Sequence, residues 1–364
     1  MKTKKKIIKS SPRRVAVRKN KKGSKKKKSV KTAALVRSKE NPMISPSAEN
    51  GWEAWQTFNP GVILLNDKVY FLYRAIGEDG LSRFGYAASN DGFHIDERLS
   101  YPVYEHRVGQ RPSFNIFSYF SGGSFGGSED PRIVRVDDED TLYMTYTACD
   151  EGLRVALTSI KVNDFLNKRW KWKLPVLISP PGEVHKNWVI FPEKINGKYA
   201  ILHSISPEIL IDYFDDLNFD GGTYIKSCYS GKIRKNCWDS WVRGAGAPPL
   251  KTKHGWLVFY QAMEGGDFSK YKVGVMLLDL NDPTKILHRS KEPVLEPSEF
   301  YENVGFKSGV VYVTGAVVKD DLLLVYYGGA DSYVCVASAH AEEFVEALAR
   351  ETKPKLKVKT LKKK

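Results

Sequence analysis

The chain has 364 residues, enough for one large domain or two ordinary ones with a sizeable core. Its net charge of +15 is unevenly spread: residues 1–37 hold 17 Lys or Arg and no acid, and residues 351–364 hold seven Lys against one Glu. Residues 38–350 keep 33 basic and 41 acidic residues, so an acidic body lies between two basic ends and the overall charge says little about what the body binds.

Blocks of like charge with almost no aromatic residue bury too little apolar surface to fold, so both ends are expected to be disordered tails. The N-terminal tail lacks rings to stack on bases. Any contact it makes with nucleic acid, an anionic membrane or another polyanion would rest on charge alone and be salt-sensitive. Only Ile7 and Ile8 interrupt its charge, which is not the apolar stretch of a secretory signal. The longest apolar runs, "VVYVTGAVV" and "LLLVYYGGA", are too short to span a bilayer. Cys149, Cys228, Cys237 and Cys335 form no C-x-x-C pair and no zinc-like spacing with His. The expectation is a reduced cytoplasmic protein without structural metal, with a homo-oligomer left open.

From residue 38 the chain reads as short runs rich in Val, Ile, Tyr and Trp, broken by Gly, Asn-Gly and Asp-Gly. The runs repeat. "FNPGVILLNDKVYFLYRA", "EDPRIVRVDDEDTLYMTYTA", "IFPEKINGKYAILHS" and "GAPPLKTKHGWLVFYQA" each carry a small or polar residue, a proline, a short apolar strand, a polar turn and an aromatic-rich strand. "VTGAVVKDDLLLVYYGGAD" is a fifth copy with Gly315 in the proline position. The anchors Pro60, Pro131, Pro192, Pro248 and Gly315 are 71, 61, 56 and 67 residues apart. Third strands follow in "SRFGYAASNDG", "LRVALTSI", "KVGVMLLDL" and "SYVCVASAH". Five units of this size predict an all-β five-bladed β-propeller over residues 38–350, since radial packing hides strand edges. A helix at about 339–350 closes it, with Phe344, Val345 and Leu348 at helical spacing.

Such a fold would gather the strand starts at one central funnel, bringing Asn59, Asp130 and Asp331 together. The polar residues at these places are Asn59, Arg74, Arg83, Glu129, Asp130, Arg132 and Arg154, followed by His185, Lys186, Asn187, His203, Arg243 and Asp331. Carboxylates are few in this set and cations many. Hydrolysis of a glycosidic bond usually needs two carboxylates. Inorganic phosphate is already an anion, so it needs placement and charge neutralisation rather than a base, and Arg and Lys supply both. One acid beside a cationic cradle therefore points to phosphorolysis of a glycosidic bond.

The body resembles glycoside hydrolase family 130, the β-mannoside phosphorylases and related β-mannosidases. The resemblance is carried by "NP" at 41–42, "WE" at 52–53, "FNPG" at 58–61, "YRA" at 73–75, "SRFGYAASNDG" at 82–92 and "EDPR" at 129–132. It continues through "RVALTS" at 154–159, "HKNWVIFPEKINGKY" at 185–199, "GAGAPPL" at 244–250 and "YYGGAD" at 326–331. It implies the same five-bladed fold, and a proton-donor role for Asp130 acting through a sugar hydroxyl with inversion at the anomeric carbon. It places Arg83, Arg154 and Lys186 around phosphate, and Asn59, Arg74 and Asp331 around the mannosyl unit, with Glu129 and His203 beside them. The product would be α-mannose 1-phosphate, inorganic phosphate being the co-substrate and no other cofactor being implied.

Two places depart from the family pattern. Ser204 follows "LH" where phosphorylase-like members often carry a basic residue, and losing one cation from the phosphate cradle keeps a β-mannoside hydrolase open. The segment "HRVGQRPSFNIFSYFSGGSFGGS" before Asp130 is longer than expected, and its aromatic residues suit a lid over the funnel or a contact with a neighbouring subunit. A non-catalytic propeller binding glycans or polyanions is the remaining alternative. Asp before Pro is also ordinary turn chemistry, so Asp130 is expected to serve the turn and the reaction together.

Overall fold

The computed structural model describes residues 34–106, 114–149, 152–228 and 237–350. The expected tails therefore lie outside the described residues, apart from 34–37. There Val36–Arg37 forms a strand rather than tail.

The described chain is mostly strand and runs through five antiparallel units. The first pairs Gln56–Leu65, Lys68–Ile76 and Leu81–Ser89, with Glu97–Arg98 at its edge. In the second, Gly126–Arg135, Thr141–Cys149, Arg154–Lys161 and Val176–Leu177 follow one another. The third is short, with Val189–Ile190, Tyr199–Ser204 and Leu210–Phe214. The fourth sets Trp241–Ala245 and Leu250–Thr252 against Gly255–Glu264, then Asp267–Leu278 and Ile286–Arg289. The fifth pairs Val311–Lys319, Leu322–Gly329 and Tyr333–His340, and Val36–Arg37 returns to add its outermost strand. A short parallel pairing of Leu81–Ser82 with Gly126–Gly127 fuses the first two units into one eight-stranded sheet. The C-terminal helix spans Ala341–Arg350, because the last strand continues to His340.

Local chemistry explains the hairpins. Asn66-Asp67, Asn196-Gly197 and Asp320-Asp321 each place two successive residues at positive φ. That is the geometry of a two-residue turn whose twist matches the strands, and Asn, Asp and Gly tolerate it best. A second device shapes the leading strands of the first two units. Residues 59 and 60 stand against Tyr73 alone, and 130 and 131 against Tyr146 alone, so each strand bulges at its x-Pro pair. The residue before each proline, Asn59 or Asp130, lies at a φ of 43° or 52°. A bulge of this kind turns one side chain out of the regular alternation.

The core is divided among neighbouring units in circular succession. Ile63, Leu72 and Phe84 of the first unit pack with Ile133, Met144 and Tyr146 of the second. Val155 and Leu157 of the second meet Ile190 and Ile201 of the third. Val189 and Leu202 of the third meet Trp256 and Met276 of the fourth. The fourth and fifth share Phe259, Val275, Val313 and Val325 with Phe344 and Leu348 of the helix. The fifth returns to the first through Leu324, Tyr326, Val69 and Phe71.

Three units repeat a polar lock behind this core. Tyr73 donates to Glu53 at 2.7 Å, and Arg98 donates to both. Tyr260 donates to Asp239 at 2.9 Å with Arg289 beside them. Tyr327 donates to Glu302 at 2.8 Å, and Arg37 grips that carboxylate at 2.7 and 2.9 Å. The last lock ties the N-terminal strand to the fifth unit. Arg37→Ala would leave the buried Glu302 carboxylate without its counter-ion, at an expected cost of about 3 kcal/mol. The loss should appear as a lower urea midpoint, partly recovered when Glu302→Gln is added. An unchanged midpoint would mean that this ion pair adds nothing to stability.

Candidate active site

The two bulges point their Asn and Asp at each other. Asn59 Nδ2 donates to Asp130 Oδ1 at 2.8 Å, and both side chains are buried. Behind them lies Arg74, with no exposed surface. Its Nε donates to Ser82 Oγ at 2.9 Å, Nη1 to Asp130 at 3.3 Å and Nη2 to Glu129 at 3.0 Å. The guanidinium plane lies 4.6 Å from the Phe58 ring centroid. Lys186 arrives from the segment before the third unit and donates to Glu129 Oε2 at 2.8 Å, with Asp130 Oδ2 at 3.7 Å. Gly328 is required here, because any Cβ at that position would run into Asn59 Oδ1.

Glu129 is the structural partner of this pair. Beyond Arg74 and Lys186, it accepts from Ser118 Oγ at 2.9 Å and Ser121 Oγ at 2.6 Å. Both serines belong to the helix Ile116–Gly122, capped by Asn115, whose Oδ1 accepts from the backbone N–H groups of Phe117 and Ser118. The segment ahead of Asp130 is therefore pinned to the carboxylates, at least over its described part. Gln56 fixes the end of the helix from the other side, donating to Gly122 O at 2.9 Å and to Asp331 O at 2.7 Å.

The front of this cluster borders a cavity of about 180 Å³, with Arg74 and Glu129 behind its wall. Asn59, Asp130, Lys186 and Asp331 form one part of its wall, Arg243 and Lys307 add cations, and Phe117, Phe120, Tyr271 and Tyr312 supply rings. Asp331 sits in the turn after the second strand of the fifth unit at a φ of 49°, next to Ala330 at 48°. Such backbone costs on the order of 1–3 kcal/mol per residue and persists where surrounding structure enforces it. A larger cavity of about 540 Å³ is lined by hairpin residues such as Asn66, Asp67, Asp137 and Lys251. Lys251 is paired there with Glu193, and none of the carboxylate–cation cluster reaches it.

The two aspartates bordering the smaller cavity are driven in opposite directions. Burial alone would raise Asp130, but Lys186, Arg74, Arg132 and the Asn59 amide outweigh it and hold it down at about 2. Burial dominates at Asp331, where Lys307 and Arg74 compensate only in part and the carboxyl is pushed up to about 6. Glu129 is likewise held below the ordinary range by Arg74 and Lys186 against the burial that opposes its charge.

The sequence-derived set divides. Asn59, Arg74, Glu129, Asp130 and Lys186 meet in one hydrogen-bonded cluster, and Asp331 borders the same cavity. Arg83 and Arg154 are not among the residues lining it. Arg83 is engaged by Asp79 and by Glu105 at 2.8 Å, while Arg154 donates to Ser179 O and lies 5.1 Å from the Tyr224 ring. His203 packs against Trp188 with centroids 5.5 Å apart and ring planes tilted by 59°, and lines a smaller cavity of about 20 Å³ together with Lys186 and Arg243. Burial lowers its pKa, which keeps the ring neutral. Sequence reading missed Lys307, Tyr271 and Tyr312.

The profile of glycoside hydrolase family 130, described as beta-1,4-mannooligosaccharide phosphorylase, matches residues 26–350. This chain belongs to that family. A 1,2-beta-oligomannan phosphorylase of Thermoanaerobacter sp. (strain X514) is 39% identical over 318 residues, which are 83% of this chain and 96% of the relative. Among solved structures, the beta-1,2-mannobiose phosphorylase of Listeria innocua in complex with beta-1,2-mannobiose is similar at a TM-score of 0.66 and 27% identity. That match covers 86% of this chain and 99% of the other. Another, at a TM-score of 0.69 and 26% identity, covers 85% of this chain and 94% of its own. It comes from work stating that the family contains glycoside hydrolases that target beta-1,2 mannosidic linkages in Candida mannan.

Asp331 yields a test of these electrostatics. Its folded value of about 6 exceeds the ordinary 3.8, so the folded chain holds this proton more tightly than the unfolded one. Stability from this group is therefore lost as pH rises from about 4 through about 6. Asp331→Asn should remove that slope and gain up to about 3 kcal/mol on the parent by pH 7. Asp130 acts below this window, since its depressed carboxyl loses its contribution only as pH falls towards 2. Urea unfolding at stepped pH reads the difference, and equal slopes in the two proteins would contradict a raised Asp331.

Proposed function

We propose that this chain is an inverting mannoside phosphorylase, moving the terminal mannosyl group of a β-mannoside onto inorganic phosphate. The observation that carries this reading is the single cluster in which Asp130, held by Asn59 and Arg74, faces a cavity bordered by Lys186, Arg243 and Lys307. Family membership and the 39% identity to an oligomannan phosphorylase support the same chemistry. We read the five antiparallel units as the blades of a five-bladed propeller around this cavity. The circular succession of shared cores and the return of Val36–Arg37 to the fifth unit support that architecture.

In this reading a phosphate oxygen attacks the anomeric carbon from the face opposite the leaving group. The bond to the glycosidic oxygen breaks, and that oxygen takes a proton originating on Asp130. The products are α-mannose 1-phosphate and an acceptor shortened by one sugar. Lys186 and its neighbouring cations hold the phosphate, while Asn59 and Asp331 border the mannosyl unit and Arg74, without exposed surface, holds Asp130 from behind. Arg83 and Arg154, engaged by other groups, are left out of the phosphate cradle. Lys186, Arg74 and Arg132 hold Asp130 ionised at neutral pH, so it must gain a proton before it can act as an acid. Bound phosphate supplies the means: its negative charge offsets the cations that depress Asp130, and entering as dihydrogen phosphate it gives the carboxylate a proton and then attacks as hydrogen phosphate, so that Asp130 ends the cycle ionised again.

Hydrolysis is the second reading, and Asp331 is the observation that favours it. This second carboxylate borders the same cavity as Asp130, as an acid–base pair acting on water would require. One assay separates the two. β-1,2- and β-1,4-mannobiose are incubated with and without phosphate, and α-mannose 1-phosphate and free mannose are measured. Phosphorolysis predicts phosphate-dependent sugar phosphate, a fall in turnover of about 10³-fold in Asp130→Asn, and a phosphate KM raised at least about tenfold in Lys186→Met. Free mannose from both halves of the substrate without phosphate would replace this reading with hydrolysis.

A further inference from the structure

The helix Ile116–Gly122 has two unlike sides. Ser118 and Ser121 are bonded to Glu129, and Ser121 also accepts from Lys186. Gly122 lies against Arg74, where a Cβ would stand 2.8 Å from Nη1. Phe117 and Phe120, three residues apart, instead border the cavity and remain 54% and 73% exposed. Large exposed rings beside a polar cavity are unusual on a solvated surface and mark a place where something apolar is received. Tyr119 is not part of this pair, since it packs against Phe306 with centroids 6.0 Å apart. Tyr271 and Tyr312 also border the cavity. Tyr312 is fixed by a 2.8 Å bond from its hydroxyl to Asn187 Oδ1, and the Lys307 ammonium lies 4.5 Å from the centroid of Tyr271.

We infer that Phe117 and Phe120 form a stacking platform for the acceptor portion of a β-mannooligosaccharide, the sugars beyond the scissile bond. A pyranose presents an apolar face of C–H groups and a rim of hydroxyls, so rings take the face while polar groups fix the rim. The inference rests on the proposed function for its direction, because the acceptor is what extends out of a cavity whose inner wall holds Asp130 and Lys186. Continuity selects this occupant over a protein partner. The two rings border the cavity itself, and a subunit seated on them would block the path to Asp130. The serine bonds also matter, because they fix the platform relative to Glu129 and hence the distance from an acceptor ring to the reacting bond.

The test runs the reaction in reverse with the full chain, from α-mannose 1-phosphate and β-mannooligosaccharide acceptors. The Phe117→Ala/Phe120→Ala double variant should raise the acceptor KM about tenfold or more and leave the KM for α-mannose 1-phosphate within about twofold. Phe120→Trp should keep the parent's acceptor KM. An unchanged acceptor KM in the double variant overturns the platform. A parallel rise in both KM values also overturns it, since that marks a helix acting only through Glu129. Sedimentation velocity showing that the double variant turns a dimer into a monomer would make the rings a subunit interface instead. Should the parent chain show no turnover, calorimetric titration with β-mannotriose decides separately. Binding weakened about tenfold in the double variant keeps the platform while the phosphorylase reading fails, and equal binding rejects the platform.

Discussion

Arg74 is a guanidinium without exposed surface, and the site is built around satisfying it. Burying an unpaired charge costs several kcal/mol, and one partner would not use all five of its donors. The fold answers with residues from separate places: Ser82 on the neighbouring strand, Ser124 before the second unit, and Glu129 and Asp130 on the second unit's leading strand. The arginine thereby couples the first unit to the second at the point where Asp130 leaves the regular sheet. Glu129 takes most of the structural load, receiving Arg74, Lys186 and two serines. Asp130, with Asn59 and a longer contact to Arg74, keeps a side facing the cavity. Two adjacent carboxylates thus acquire different duties from their surroundings.

The bulge is what makes this division possible. In a regular strand residues 129 and 130 would point to opposite faces of the sheet. The left-handed backbone at Asp130, followed by Pro131, breaks that alternation and lets both carboxylates contact the same arginine. Asn59 and Pro60 do the same in the first unit, and the two bulged side chains meet in a hydrogen bond. Asn and Asp suit the position because a short polar side chain tolerates positive φ better than a branched one. The strain at each position is therefore tied to the contact it creates.

Much of this was legible in the sequence because the repeated unit carries it. Both bulges fall at x-Pro pairs that mark the repeat, the polar turns fall at the hairpins Asn66-Asp67, Asn196-Gly197 and Asp320-Asp321, and the motif order singled out Asn59, Arg74, Glu129, Asp130, Lys186 and Asp331. Arg83 and Arg154 lie apart from that cluster. Both open third strands, one strand removed from the bulged leading strands, and each finds a nearer partner. Asp79, four residues before Arg83, was visible as a competitor; Ser179, 25 residues from Arg154, was not. Lys307 escaped notice for a different reason. It lies in the irregular stretch between the helix Phe300–Asn303 and the fifth unit, where no period or motif marks it. The helix at Ile116–Gly122 is short, aromatic and serine-rich, and its stability comes from tertiary bonds to Glu129 rather than from helix propensity.

The balance of charge gives the arrangement its direction. Within and immediately behind the cavity wall stand Arg74, Arg132, Lys186, Arg243 and Lys307, against the carboxylates Glu129, Asp130 and Asp331. Arg74 and Lys186 are matched by Glu129 and Asp130 in direct contacts. Arg132 is held by neutral acceptors instead, the carbonyls of Gly246 and Asp130 and the amide oxygen of Asn187. Among these named groups positive charge exceeds negative charge even when Asp331 is ionised. An anion entering the cavity would meet a field that neutral sugar alone does not balance, and the same field holds the Asp130 carboxyl down. The proposed phosphate would thus be both reactant and the agent that readies the acid, making proton transfer conditional on the nucleophile being in place.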